Sequence, residues 1–125
     1  MGHVNNAVIM EFFDLGKSYY FSASGIPVEP AEGDFTVMVV HVEVDFKSQI
    51  HYHDSVEVQS SVTRWSNKSF DLLQRVVERS SGRVCAECRT VMSGYIRSLS
   101  QSAPIPDDIK HRVDAFDNAH NGRLC

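Results

Sequence analysis

At 125 residues the chain suits one domain and is too short for two ordinary ones. A hydrophobic fraction of 42% with 22% charged residues excludes disorder by composition. A net charge of −4 with no run of like charge excludes a basic nucleic-acid surface, and no apolar stretch reaches the roughly 20 residues of a membrane span.

The opening Met1-Gly2-His3-Val4-Asn5-Asn6 lacks the basic head and apolar run of a secretory leader. Three cysteines, Cys85, Cys88 and Cys125, form no even disulfide framework, so the expected setting is a reduced cytoplasm. Residues 6–24 then carry a helical pattern. Val8, Ile9, Met10, Phe12, Phe13, Leu15, Tyr19, Tyr20 and Phe21 cover most of the circumference, leaving a narrow polar stripe of Glu11, Asp14, Ser18 and Ser22. Such a helix is expected to be enclosed by other structure. Asn5 or Asn6 suits its N-cap, and Gly25 its left-handed C-cap.

After Gly33 the period becomes two: Met38, Val40, Val42, Val44 and Phe46 alternate with Val39, His41, Glu43 and Asp45. Further strands are expected at residues 55–65, 70–78 and 83–97, separated by turn residues at 53–54, 66–68 and 80–82. A long helix followed by four strands in hairpin order predicts an α+β domain whose antiparallel sheet curls around the helix. Past Pro106, residues 107–117 read as a short terminal helix with acids in its first turn, and 118–125 as a tail.

A central helix wrapped by an antiparallel sheet is the hotdog fold. The string Gly2-His3-Val4-Asn5-Asn6-Ala7, followed by Phe12-Phe13-Asp14, resembles the opening of the 4-hydroxybenzoyl-CoA thioesterase-like family over about residues 2–100. Ile9 stands where that family has an aromatic, and Asp14 with Lys17 where it has a Glu–Arg pair. Members also carry a preceding strand and an acidic residue three positions before the glycine. That position falls ahead of Met1, so the resemblance implies an internal methionine and a missing catalytic acid.

The resemblance implies an acyl-CoA thioesterase, acting on acyl-CoA or acyl-carrier-protein thioesters without a cofactor. It further implies dimers or tetramers that share the active site across their interface. Thioester hydrolysis needs a carboxylate and a donor for the oxyanion. By resemblance the donor is the Asn6 backbone N–H at the helix start, where unpaired N–H groups and the helix dipole favour negative charge. Gly2, His3, Val4 and Asn5 would line the substrate, with Gly2 letting the chain turn closely. The bland role of Asn5-Asn6 is a plain cap, and the two roles are compatible.

Asp14 is the helix carboxylate at a position where the family often has one. It lies eight residues past Asn6, too far to share one carbonyl within a subunit, and is expected mainly to pair with Lys17 at i,i+3. It is also the candidate catalytic carboxylate, with Glu11 the weaker one. Ser69 falls where hotdog strands often present a hydroxyl to the pocket. His51 and His53 flank Tyr52 but lack companions for a metal site, so no metal is expected. Cys85 and Cys88 have CxxC spacing, yet lie mid-strand where alternation should send them to opposite faces. Arg64, Lys68, Arg83, Arg89 and Arg97 are the cations available for coenzyme A phosphates. Two rivals follow: a non-catalytic acyl-CoA-binding or assembly module, favoured by the missing acid, and a hydratase, disfavoured because no histidine lies between Ala7 and Gly25.

Overall fold

The structure is a computed structural model that describes residues 4–27 and 34–120. Its elements are α1 (Asn6–Ser24), β1 (Phe35–Phe46), β2 (Val56–Trp65), β3 (Ser69–Glu78), β4 (Val84–Ile96), the two-residue β5 (Gln101–Ser102) and α2 (Asp107–Ala119). Gly2, His3 and Cys125 lie outside the described residues. No described helix is long and apolar enough to cross a membrane.

α1 forms where the pattern expects it. Asn5 is the N-cap, its Oδ1 accepting the Ala7 N–H at 2.7 Å, and Gly25 closes the far end at φ 92°, donating its N–H to the Phe21 carbonyl. Ile9, Phe13, Tyr20, Phe21 and Ser24 are buried. Enclosure is one-sided, however. Val8, Leu15 and Tyr19 form an exposed stripe, with Leu15 70% and Tyr19 72% exposed. An antiparallel sheet lies against one flank of α1 and leaves the other open.

Strand order is β1-β4-β3-β2, all antiparallel, with β5 paired to the end of β4. The strands from β2 to β4 run as consecutive hairpins. β1 departs from hairpin order by pairing with β4, so residues 47–55 carry the chain from one sheet edge to the other. This crossover passes under the start of α1. Ile50, midway along it, is buried beside Ile9 and Phe13, and the Val4 N–H bonds the Ile50 carbonyl at 2.6 Å.

Two bulges overturn the expected alternation. In β1, Val39 pairs with Met92 and His41 with Val91, which leaves Val40 as an extra residue. Val39, not Met38 or Val40, therefore shares the inner face with Val42, Val44 and Phe46. In β4, Val84 pairs with Val77 and Ala86 with Val76, making Cys85 the extra residue. Cys85 and Cys88 consequently both pack in the core, in one cluster with Ile9, Phe13 and Val76, rather than facing opposite sides. Burial pushes the Cys88 thiol up from its ordinary pKa, and both cysteines are free.

The core has two parts, one beneath each half of α1. Ile9 and Phe13 rest on Ile50, Val76 and Ala86; Tyr20 and Phe21 rest on Phe70, Leu72 and Met92, closed by Ile109 and Val113 of α2. Between them Gln74 is buried, donating to the Phe13 carbonyl at 3.0 Å and to Ser60 Oγ at 3.1 Å. The helix crosses the sheet closely there. A Cβ on Gly16 would meet Val58 Cγ1 at 2.6 Å.

Candidate functional site

The crossover and the start of α1 border a pocket of about 390 Å³ that opens to solvent. Val4, Asn6 and Ile9 line the helix side, and Phe46, Lys47 and Ser48 the sheet side. The geometry follows from the topology. Leaving β1, the chain is anchored by the Cys85 carbonyl, which accepts both the Lys47 N–H at 2.8 Å and the Ser48 N–H at 3.0 Å. It then dips inward at Ile50 and there grips the strand of chain leading into α1.

Asn6 is the first residue of α1. The Asn5 cap satisfies Ala7, while Val8 and Ile9 donate back to the Asn5 carbonyl. The Asn6 N–H has no acceptor among the described residues, as expected of the first amide of a helix. No acidic residue stands in the first turn of α1 to neutralise its positive end. With Lys47 in the same lining, the cavity favours an acceptor or a developing negative charge.

The other sequence candidates distribute as follows. Val4 and Asn6 line the cavity, and Asn5 is the cap beside it. Asp14 is not in the lining. Its carboxylate is 75% exposed and 3.8 Å from Lys17 Nζ, the expected i,i+3 pair. Eight residues of helix rise separate it from Asn6, about 12 Å. Ser69 starts β3 opposite Ser93, at the end of the sheet that underlies the C-terminal half of α1. Its carbonyl accepts the Ser66 N–H and closes the β2–β3 turn. The structure thus brings Val4, Asn5 and Asn6 together and leaves Asp14 and Ser69 apart from them.

Sequence reasoning misses the crossover residues Lys47 and Ser48, which follow the strand pattern and carry no motif of their own. Their signal is topological: only once β1 pairs with β4 must the following residues pass beneath α1. Of the five cations, Arg83 is held by Asp54 and the Gln49 carbonyl, and Arg89 by Glu43 and Asp71. Arg97 lines a second cavity, of about 340 Å³, with Thr36, Val37, Met38 and Tyr95. His51 donates its backbone N–H to Asp54, and no group of three or more metal-ligating side chains gathers among the described residues.

Residues 1–113 match the Thioesterase-like superfamily. The chain belongs to that superfamily. Solved structures agree on the hotdog fold. A 1,4-dihydroxy-2-naphthoyl-CoA thioesterase from Synechocystis superposes with a TM-score of 0.79 at 19% identity, over 93% of this chain and 86% of that one. A thioesterase from Thermus thermophilus, solved with coenzyme A and zinc, gives 0.73 at 28% identity, over 94% and 83%. The PA5185 protein of Pseudomonas aeruginosa gives 0.76 at 24% identity, over 91% and 79%. A search of curated proteins gave no match.

Proposed function

We propose that the chain hydrolyses acyl-CoA thioesters in the cavity at the start of α1, with the Asn6 N–H as oxyanion donor. The observation that carries this reading is that the first amide of α1, without an acceptor among the described residues, lies at a pocket with no acid in its described lining. A thioester carbonyl placed on that amide gains a bond that strengthens as water attacks and charge gathers on oxygen. The C–S bond then breaks, and the thiolate leaves and takes up a proton. Coenzyme A bound to the thermophile relative supports the substrate class.

Self-association belongs to the same proposal. β2 is an edge strand whose last residues are covered by α2, whereas β1 is a twelve-residue edge carrying exposed Val39, Val40, Val42 and Phe46. An uncovered apolar edge favours a second copy running antiparallel along β1. A two-fold near Val42 sets residue 38 of one copy opposite residue 46 of the other. That pairing brings the Arg97 cavity of one copy beside the α1 cavity of its neighbour, which gives Arg97 access to the substrate's phosphates.

One observation favours a second reading, a binding module without hydrolysis: no Asp or Glu lines the cavity among the described residues. Thiol release from short, long and aromatic acyl-CoAs separates the two. Turnover that Asp14→Asn abolishes makes Asp14 the base, whereas turnover that survives it makes Asp14 the structural partner of Lys17. Tight binding with no turnover leaves the module.

A further inference from the structure

Ser48 presents the cavity with a group the fold does not use. Its Oγ is cut off from solvent and has no hydrogen-bond partner among the described residues. Leaving a buried hydroxyl unpaired is costly, and native proteins rarely do so without a reason. Its backbone is fixed, because the Ser48 N–H and its neighbour's both bond the Cys85 carbonyl. The side chain has one free torsion, and a turn of about 120° between staggered wells re-aims the hydroxyl. Ser48 lines the pocket together with Asn6, so such a turn can bring Oγ to a ligand bound there.

Resting on the thioester reading of this cavity, we propose that Ser48 is a second hydrogen-bond donor to the thioester carbonyl oxygen, opposite the Asn6 N–H. The acceptor chemistry follows from the surroundings. Val4, Ile9 and Phe46 supply the apolar part of a lining whose remaining residues are polar, so the pocket offers donors to a small neutral acceptor. A phosphate would require several converging cations, and the lining supplies Lys47 alone among the described residues. Two donors on one oxygen fix its direction, which a single amide does not. The hydroxyl exchanges an unpaired buried state for a bond, so ligand binding relieves a cost already present in the fold.

The test uses an acyl-CoA analogue with a methylene in place of the thioester sulfur, so that the carbonyl is kept and hydrolysis is blocked. The carbonyl carbon is labelled with ¹³C, and NMR follows it on binding to the full chain, to Ser48→Ala and to Ser48→Thr. The expected result is a downfield shift on the parent chain, roughly half that shift on Ser48→Ala with about tenfold weaker binding, and recovery of both on Ser48→Thr. Melting temperature should hold or rise in Ser48→Ala, because the group removed has no partner to lose. An undiminished shift on Ser48→Ala overturns the Ser48 assignment and leaves the cavity reading standing. So does a melting temperature that falls as for a lost internal bond. A parent chain that neither binds the analogue nor shifts its carbon overturns the cavity reading, and the Ser48 role with it.

Discussion

The two ends of α1 meet the same physical problem and resolve it in opposite ways. At the C-terminal end, the bulge that follows Val62 in β2 exposes a strand amide at a sheet edge, a group that must be satisfied if buried. α2 covers it. The Val62 N–H donates to Tyr20 Oη at 3.1 Å and to Asp117 Oδ2 at 3.3 Å, and the tyrosine hydroxyl donates to the same carboxylate at 2.7 Å. Trp65 Nε1 donates to Asp114 one turn earlier on α2, at 3.0 Å. At the N-terminal end, the first helix amide and the Ser48 hydroxyl have no partner among the described residues and lie beside a pocket. Where the fold closes, each polar group has found its complement. At the proposed binding end, two groups await a complement that the ligand would supply.

The comparison predicts that damage to the closed end appears in stability and damage to the open end in turnover. The largest stability effect is expected from Phe21→Ala, a fully buried ring stacked edge-on to Phe70 with centroids 6.2 Å apart. Its loss should cost about 3–5 kcal/mol in urea unfolding while the folded fraction keeps its kcat. Next comes Tyr20→Phe, which leaves the Val62 amide and Asp117 without the hydroxyl between them. About 1–3 kcal/mol is expected, again with kcat unchanged. A fall in kcat with stability intact in either variant would break the division.

A smaller effect is expected in acid, where two carboxylates pull in opposite directions. Glu78 accepts from the hydroxyls and amides of Ser80 and Ser81 in the β3–β4 turn, and those bonds, led by the Ser80 hydroxyl, hold its pKa down at about 2 against an ordinary 4.5. A lowered folded pKa means stability that is present above 4.5 and is lost as the pH falls from there towards 2. Asp117 has the opposite sign: burial raises its pKa, offset in part by the Tyr20 bond. Its contribution is complete below the ordinary aspartate value and declines as the pH rises through the elevated one. In Glu78→Gln the loss of melting temperature between pH 4.5 and 2 should shrink. In Asp117→Asn the acid-side gain should disappear.

Much of this is legible in the sequence, and what is missed shares one cause. The span of α1, its Asn5 cap and its Gly25 stop rest on local chemistry, and the structure returns them unchanged. β2, β3 and β4 fall within a residue of their expected ends because turn residues are local too. The bulges at Val40 and Cys85 depend on what the partner strand offers, so a period of two assigns Met38 to the wrong face and sends Cys85 away from Cys88. The exposed stripe of Val8, Leu15 and Tyr19 reads as core because one sequence cannot show which elements cover a helix. Asn6, the proposed donor, is singled out through the Gly-His-Val-Asn-Asn string. Ser48 is not, because its position at the cavity arises only when β1 crosses to β4.

The central claim is that a backbone amide, not a side chain, receives the developing charge at Asn6, and comparing Asn6→Pro with Asn6→Ala tests it most directly. Proline is well tolerated at the first position of a helix, and Asn5 already holds the extended φ −65°, ψ 145° that a residue before proline requires. Asn6→Pro therefore deletes the N–H and leaves the fold, while Asn6→Ala deletes the side chain and keeps the N–H. The account predicts equal melting temperatures, kcat on acyl-CoA lowered about 10²–10³-fold in Asn6→Pro, and only a few-fold change in Asn6→Ala. Equal turnover by the two variants would contradict it.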